Sequence, residues 1–146
     1  MKIPSELLQQ IKRQEGLRLT AYVDTLGNRS IGFGHTPAFS GQTITEAEAE
    51  TLLLQDLIEA ESSLLAALPW VSSLDVCRYC VLWNMSFNMG IGHLLEFHLM
   101  LGAVRTGIWS LAAKQMLNSL WAEQVKTRAT ELSEQMRTGS WFNPEA

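Results

Sequence analysis

Residues 15–35 read EGLRLTAYVDTLGNRSIGFGH, and the fold is organised around this stretch. The helical pattern before it ends at Gly16, a residue type that commonly terminates helices. Residues 19–24 and 29–33 then have the character of two short strands. The segment between them, 25–28, contains a Gly-Asn pair that is suited to a positive φ in a tight turn. The stretch therefore predicts a helix that is followed directly by a β-hairpin.

Two carboxylates and a hydroxyl lie close together in this stretch. Glu15 falls in the last turn of the first helix, Asp24 ends the first strand, and Ser30 follows in the second strand. A pair of carboxyl groups suits glycoside hydrolysis, because one protonates the glycosidic oxygen while the other handles the attacking water. Solvated helix ends and turns also use glutamate and aspartate. The spacing alone therefore leaves a catalytic and a structural interpretation open.

Helical patterns precede and follow the hairpin. Pro4 suits the first turn of a helix, and apolar residues at helical spacing come after it. Thr45 and Glu48 form a capping box, in which each side chain can bond to the backbone N–H of the other residue. The helix that begins there is expected to cover 45–68, because Pro69 is the first residue after it that breaks helices.

The second half of the chain predicts several more helices. Ser72 or Ser73 can cap a helix that ends at Met89 and is apolar on most sides. A helix of that kind belongs in the middle of a helical lobe. Shorter helices are predicted over three further segments, 93–105, 108–118 and 125–137.

Length and composition indicate a globular chain. Of its 146 residues, 47% are hydrophobic and 18% are charged, as in folded domains. No apolar run reaches the roughly 20 residues that cross a bilayer. The N-terminal residues also lack the apolar stretch of a signal peptide, so we expect the protein in the cytoplasm. We predict one domain made of a small α/β lobe (12–44), a connecting helix (45–68) and a helical lobe (69–146), with the first helix packed near the helical lobe.

Charge and cysteine content argue against several functions. The net charge is −4, and residues 41–76 carry seven acidic and no basic groups. Because there is no basic stripe, nucleic acid is disfavoured as the main partner. Cys77 and Cys80 have no second pair of ligands near them, so a zinc site and a redox motif are disfavoured as well. We predict neither a metal nor a cofactor.

The residues that carry a family resemblance are Glu15-Gly-Leu-Arg-Leu, Tyr22-Val-Asp24-Thr, Gly27 and Ser30-Ile-Gly32-Phe-Gly34-His35-Thr36. This segment resembles the active-site segment of the phage-type lysozymes, the T4 lysozyme family of endolysins. The resemblance continues through the start of the connecting helix (44–56), the central helix (73–90) and the C-terminal helices (109–141). It implies an α+β, mainly α, lysozyme-like fold, in which a small α/β lobe with a β-hairpin is joined by a long helix to an all-α lobe.

The resemblance implies an endolysin, a glycoside hydrolase that acts as a muramidase and lyses the host cell. Its expected reaction is inverting hydrolysis of the β-1,4 bond between N-acetylmuramic acid and N-acetylglucosamine in bacterial peptidoglycan. Glu15 matches the general acid of the family, and Asp24 matches the carboxylate that orients or activates water. Ser30 stands where most members have threonine. Its hydroxyl is kept, but the methyl group that restricts the rotamer is lost.

The resemblance also assigns supporting and substrate-binding residues. His35 and Asp56 match a histidine and an aspartate that form an ion pair. Arg128 matches an arginine that reaches the acid from the other lobe. The positions that match the sugar cleft of the family are Thr36, Phe87, Met100 and Gln115. Of these, methionine cannot form the hydrogen bond that a hydroxyl would give to a sugar.

Two other functions fit parts of the sequence. A lytic transglycosylase uses the 6-hydroxyl of its own substrate, so it would not need Asp24 and Ser30 to hold a water. An inactive wall-binding or virion structural module would not need Glu15 either. For the leading interpretation, the partner is peptidoglycan and no membrane insertion is expected. We expect a monomer in the cytoplasm of the host bacterium, which acts on the cell wall after a separate membrane-permeabilising protein releases it.

Overall fold

The computed structural model describes residues 2–24 and 27–145. It is mostly helical, and its strands pair as a two-stranded antiparallel hairpin. The mainly α, α+β class expected from the sequence is confirmed. The helices are α1 (Ser5–Glu15), α2 (Glu46–Ala67), α3 (Val76–Met89), α4 (Ile91–Leu94), α5 (His98–Arg105), α6 (Trp109–Leu117), α7 (Leu120–Val125) and α8 (Thr127–Thr138), and the strands are β1 (Arg18–Val23) and β2 (Arg29–Gly32).

The chain divides into two compact units, and the division falls within α2. Met1–Glu59 contains α1, the hairpin and the first part of α2, and we call it the hairpin unit. Ala60–Ala146 contains the rest of α2 and the helices that follow, and we call it the helical unit. In the part of the chain that the structure describes, no helix combines the length and the hydropathy that a membrane crossing requires.

The hairpin lies within one residue of its expected position. Across the two strands, Tyr22 of β1 is the Cα partner of Ser30 of β2. The expected turn includes residues 25 and 26, which lie outside the described residues. Gly27 has a φ of +84°, a conformation that costs glycine little because it has no Cβ. Asn28 was expected to have a positive φ as well, but its φ is not positive.

An apolar stripe on α1 is buried. Leu7 and Ile11 lie one helical turn apart, and both are fully buried. Beside this stripe, Nζ of Lys12 lies 2.9 Å from Oε1 of Glu50 on α2. The same ammonium group is 5.6 Å from the centre of the Phe33 ring, just after β2. Lys12 therefore ties the last turn of α1 to both α2 and the end of the hairpin.

The capping box at the start of α2 is confirmed. The backbone N–H of Thr45 donates to Oε1 of Glu48 at 3.1 Å, and the N–H of Glu48 donates to Oγ1 of Thr45 at 3.1 Å. α2 ends at Ala67, one residue before its expected end. Pro4 was expected in the first turn of α1, but its ψ of 140° is extended, and it precedes the helix as its N-cap.

α3 is the central helix of the helical unit, and its N-cap differs from our prediction. Asp75 precedes the helix, and its carboxylate accepts a hydrogen bond at 3.1 Å from a backbone N–H in the first turn. The hydroxyl groups of Ser72 and Ser73 donate instead to backbone carbonyls of the 3-10 turn Pro69–Ser73. Every residue from 79 to 86 is buried, as expected for a helix that is apolar on most sides.

Arg78 connects α3 to the C-terminal end of α8. Its Nε donates to the carbonyl oxygen of Met136 at 2.7 Å, and its Nη2 donates to that of Arg137 at 3.1 Å. The guanidinium carbon also lies 4.0 Å from the centre of the Trp109 ring. The last carbonyls of a helix have no partner within it, so Arg78 satisfies groups that α8 would otherwise leave open.

Two of the predicted C-terminal helices are interrupted, whereas α6 matches its prediction closely. The segment 93–105 is split into α4 and α5 by the residues around Phe97. The segment 125–137 begins as a helix only after Lys126, which has a φ of +50°. A right-handed helix cannot continue through that conformation. Apolar residues continue at helical spacing across both breaks, so the sequence does not mark them.

Candidate active site

Glu15 is the last residue of α1, and its carboxylate packs against the turn that follows the hairpin. Gly34 in that turn has a φ of +81°, and a Cβ atom at this position would lie 2.5 Å from Oε1 of Glu15. It would also lie 3.2 Å from the carboxyl carbon. A side chain at position 34 would therefore force the Glu15 carboxylate to move from this position.

Asp24 follows β1 directly and shapes the turn of the hairpin. Its Oδ1 accepts a hydrogen bond from the backbone N–H of Asn28 at 2.8 Å. Its own backbone N–H donates to the carbonyl of Asn28 at 2.8 Å, and its carbonyl accepts from Gly27 at 3.1 Å. One carboxylate oxygen thus has the turn role that aspartate often takes. That bond also fixes the direction of the carboxylate, so a structural role and a catalytic role are compatible here.

The side chains of Ser30 and Tyr22 project from the hairpin next to each other. Ser30 is only 2% exposed, whereas Tyr22 is half-buried. Because the two residues are direct partners across the strands, their side chains project from the same face. The Ser30 hydroxyl is therefore held next to the Tyr22 ring and away from bulk water.

Tyr22 interacts electrostatically with both carboxylates. Burial is the largest cause that raises the pKa of Tyr22, and the charge of Glu15 raises it further. The charge of Arg18 lowers the pKa, and that of Asp24 raises it. The guanidinium carbon of Arg18 lies 4.8 Å from the centre of the ring. Because charges act on a pKa over short distances, both Glu15 and Asp24 lie near the phenol group of Tyr22.

The turn that contains Gly34 is anchored to α2. Nδ1 of His35 lies 2.8 Å from Oδ2 of Asp56. Burial raises the pKa of Asp56, while the hydrogen bond to His35 and the charge of His35 lower it. The backbone groups of His35 and Ile31 exchange two hydrogen bonds, at 2.9 and 3.0 Å. The surface against which Glu15 packs is thus held at β2 on one side and at α2 on the other.

The remaining predicted binding residues lie in different environments. Thr36 is exposed in the hairpin unit, immediately after the turn. In the helical unit, Phe87 on α3 and Gln115 on α6 are half-buried. Met100 on α5 is only 1% exposed. Its side chain fills the core of the helical unit and offers almost no surface to a ligand.

Arg128 is buried in the helical unit, where Asn84 fixes its orientation. Its Nε and Nη2 donate to Oδ1 of Asn84 at 3.1 and 3.0 Å. Arg128 is 9% exposed, and Asn84 is fully buried. Two hydrogen bonds to one oxygen set the plane of the guanidinium group. Asn84 was not predicted as a site residue, although an amide in a largely apolar helix is a signal that it serves a polar partner.

The structure brings three predicted residues together in the hairpin unit, Glu15, Asp24 and Ser30. It adds two residues that the sequence analysis did not assign to the site, Tyr22 and Gly34. Two closely spaced glycines around Phe33 were the available signal for a close backbone approach. A tyrosine in a strand carries no comparable signal, because aromatic residues are common there for packing alone.

The comparison with known protein families finds one family model that matches most of the chain. The family described as phage lysozyme matches residues 12–136. The matched segment begins within α1 and extends into α8, and it contains both carboxylates of the candidate site.

Individual relatives agree with this match. The chain is 31% identical to the pre-baseplate central spike protein Gp5 of Enterobacteria phage T4, over 92% of this chain and 28% of the spike protein. The chain thus spans less than a third of that relative. It is 29% identical to the probable T4-type lysozyme 1 of Dictyostelium discoideum, over 93% of this chain and 96% of the relative. It is 38% identical to the endolysin of Salmonella phage P22, over 62% of this chain and 64% of the relative.

Proposed function

The chain belongs to the phage lysozyme family, and on this premise we propose that it is a muramidase. The proposed reaction is hydrolysis of the β-1,4 bond between N-acetylmuramic acid and N-acetylglucosamine in bacterial peptidoglycan, with inversion at the anomeric carbon. The observation that carries the proposal is the placement of Glu15 against Gly34. It brings one carboxyl group at a helix end against the turn that follows the hairpin of Asp24 and Ser30, which supports a shared role.

Glu15 is the general acid in this proposal. It donates its proton to the glycosidic oxygen as the bond to the anomeric carbon breaks, so that the departing sugar leaves as a neutral alcohol. A general acid works only when its proton lies within hydrogen-bond reach of the leaving oxygen. Close packing against the backbone of Gly34 limits the positions that the carboxyl group can take, which supports this role.

Asp24 and Ser30 hold the attacking water. Asp24 accepts a proton from the water as its oxygen attacks the anomeric carbon on the face opposite the leaving group. The bond from the Asn28 N–H to Oδ1 restricts the rotation of this carboxylate. Ser30 supplies a hydroxyl that can accept from the water or donate to it. Inversion requires carboxyl groups roughly 6.5–9.5 Å apart, which leaves room for that water.

Other residues support the pair or bind the saccharide. We propose that His35 and Asp56 keep the turn at Gly34 in place, because their contact at 2.8 Å joins it to α2. The family resemblance assigns Arg128 to the support of the general acid. It assigns Thr36, Phe87 and Gln115 to saccharide binding, and their exposed or half-buried side chains are compatible with that role. Met100 has so little exposed surface that we leave it out of the binding set.

The proposed biological role is that of an endolysin. The substrate is the cell wall of the host bacterium, and its hydrolysis lyses the cell. We propose that the protein acts as a monomer and stays in the host cytoplasm until a separate membrane-permeabilising protein gives it access to the wall. Names among its relatives support this role, since endolysins occur among them.

The decisive experiment is mass spectrometry of the fragments released from purified peptidoglycan. The parent should release saccharides with reducing N-acetylmuramic acid ends, and Glu15→Gln should lower the rate by about 10²–10⁴-fold, because it removes the general acid. A matched folding control is the melting temperature, which should be similar in the two proteins. Fragments that end in 1,6-anhydro groups would identify a lytic transglycosylase and refute hydrolysis.

A second candidate function is favoured by one specific match. The spike protein among the relatives supports a virion module as the second candidate, in which the fold binds the wall without cleaving it. In that case Glu15→Gln would leave wall clearing unchanged, because Glu15 would have no proton to deliver. A loss of clearing in Glu15→Gln, with binding to walls retained, would exclude the inactive module.

A further inference from the structure

One polar side chain beside the carboxylates has no role in the proposed function so far, and this is Tyr22. Its position is fixed from two directions. It is the strand partner of Ser30, and the guanidinium carbon of Arg18 lies 4.8 Å from the centre of its ring. The strands shift in register between Arg18 and Tyr22, yet the two side chains still meet. The ring therefore has a cation on its face and the buried Ser30 as its strand partner.

The hydroxyl of Tyr22 is available to a ligand. The ring is half-buried, and the Tyr22 hydroxyl makes no hydrogen bond to residues 2–24 or 27–145. A phenolic hydroxyl that is close to water on one side can donate to a bound molecule at little cost, since only water has to leave.

The surroundings of Tyr22 keep its proton in place. Burial and the charges of Glu15 and Asp24 raise the pKa of Tyr22, against the opposing charge of Arg18. The phenol therefore stays neutral at the pH of a bacterial cell and retains one hydrogen to donate. Ionised carboxylates can only accept hydrogen bonds, so Tyr22 adds a kind of group that an ionised carboxylate does not provide.

An N-acetylated sugar needs such a donor. Its acetamido carbonyl, its ring oxygen and its glycosidic oxygens can only accept hydrogen bonds. The ionised Asp24 can only accept hydrogen bonds, and the one proton of Glu15 goes to the glycosidic oxygen, so the other acceptor oxygens of the sugar need a further donor. A neutral donor next to the acids gives one of these oxygens a partner without adding a second positive charge.

We propose that Tyr22 is a substrate-binding residue whose hydroxyl donates a hydrogen bond to an acceptor oxygen of the N-acetylated saccharide that occupies the site of Glu15 and Asp24. This proposal rests on the proposed function and adds a contact to it. Arg18 takes part as a positioning residue, because its guanidinium group covers the ring and limits its rotation.

The test measures binding apart from catalysis. In the Glu15→Gln background, which turns over too slowly to disturb the measurement, the probe is a tetrasaccharide of alternating N-acetylglucosamine and N-acetylmuramic acid. Calorimetry or an NMR titration should show that adding Tyr22→Phe weakens binding about three- to tenfold, because one hydrogen bond to the ligand is lost. Phenylalanine keeps the ring and its contact with Arg18. Equal affinity with and without the Tyr22 hydroxyl would overturn the proposal.

The chain has two tyrosines, and the second is the matched control. Tyr79→Phe removes a hydroxyl of the same kind from the helical unit, where that hydroxyl donates to Glu61. It should lower the melting temperature but leave the affinity for the tetrasaccharide unchanged. Tyr22→Phe should do the reverse, and in the active protein it should raise KM by about three- to tenfold with little change in kcat. A lower kcat with an unchanged KM would contradict a role in binding.

Failure of the proposed function would look different from failure of this inference. The proposed function fails if the parent releases no fragments with reducing N-acetylmuramic acid ends. Both proposals fail if, in addition, the tetrasaccharide binds to none of the variants. If only the inference is wrong, the parent releases reducing fragments, Glu15→Gln binds the tetrasaccharide, and Tyr22→Phe binds it equally well.

Discussion

The two units place their polar side-chain pairs at different depths. In the hairpin unit, His35 and Asp56 form a pair whose side chains remain 26% and 23% exposed. In the helical unit, Tyr79 and Glu61 form a pair with residue exposures of only 2% and 8%. A buried polar group that loses its partner costs more than an exposed one, because water cannot replace that partner. Substitutions in the helical unit should therefore affect stability first, and those near the hairpin should affect activity first.

The largest effect that would test this contrast is expected from Gly34→Ala. The new methyl group would meet Oε1 of Glu15 at 2.5 Å and displace the carboxyl group. Displacement of a catalytic group by about 1 Å can reduce the rate by about a hundredfold. Wall hydrolysis should fall by that factor, while the left-handed backbone adds a stability cost of about 1–2 kcal/mol.

Gly41→Ala separates the two effects of that substitution. Gly41 has a similar φ of +80°, but no atom lies within 4 Å of its Cβ position. The Gly41→Ala variant should therefore lose about as much stability as Gly34→Ala, as measured by urea denaturation. It should keep its activity, as measured by the turbidity of cell walls. If both alanine variants lose activity equally, backbone strain rather than contact with Glu15 is the cause.

In the helical unit, the strongest effect on stability is expected from Tyr79→Phe. Tyr79 donates to Glu61 at 2.5 Å, so the substitution leaves a buried carboxyl group without this donor. The expected loss is about 1–3 kcal/mol at neutral pH. The ring contact with Trp83, at a centroid distance of 5.9 Å, is available to phenylalanine as well. Activity measured well below the melting temperature should stay near that of the parent.

The contact between Tyr79 and Glu61 also predicts that the stability of the protein falls at alkaline pH. Burial is the main cause that raises the pKa of Tyr79 above its ordinary value of 10.0, and the hydrogen bond to Glu61 raises it further. Above pH 10 the phenol ionises in the unfolded chain before it ionises in the folded one. The stabilisation is therefore complete below pH 10 and declines above it. Urea denaturation at pH 8 and at pH 10.5 measures the difference in the free energy of unfolding between the parent and Tyr79→Phe. This difference should be smaller at pH 10.5, and an equal difference at both pH values would refute the prediction.

A smaller effect on activity is expected from Ser30→Val, with Ser30→Thr as its control. Valine and threonine have the same shape, so the pair isolates the hydroxyl. Valine should reduce wall hydrolysis by about tenfold or more because the water loses a partner, whereas threonine should match or exceed the parent. Both variants fill the same buried position and should melt at similar temperatures. Equal lysis by valine and the parent would exclude the water-holding role of Ser30.

The smallest effect is expected at the N-terminus of α3. Asp75→Ala removes the carboxylate that accepts from the backbone N–H of Arg78 and should cost about 1 kcal/mol. Ser73→Ala removes a hydroxyl that only closes the preceding turn and should cost less. Thermal melts of the two variants measure the difference. A larger loss of stability in Ser73→Ala would indicate that Ser73 is the N-cap of α3, as the sequence predicted.

Local signals in the sequence predicted the elements well. The capping box of Thr45 and Glu48 could be predicted because both halves of the interaction lie within one helical turn. The N-cap of α3 could not be chosen in the same way. Ser72, Ser73 and Asp75 are all suitable residue types, and the 3-10 turn before the helix decides among them.

Contacts between distant residues account for what the sequence did not predict. The close approach of Glu15 to Gly34 joins positions nineteen residues apart, and no local pattern encodes such a distance. The positive φ of Lys126 could not be predicted either, because lysine is not a residue type that favours this conformation. The burial of Met100 follows from packing within the helical unit, whereas the family resemblance had placed this position in a sugar cleft.

The hydrogen bonds of Arg78 affect the order in which the helical unit can be completed. They join positions that are 58 and 59 residues apart. While the chain is being synthesised, α3 leaves the ribosome well before the carbonyls at the end of α8 exist. At about 5–20 residues per second, the interval is roughly three to twelve seconds. For that interval the carbonyl oxygens that Arg78 binds do not yet exist, and the largely apolar α3 lacks its last partners.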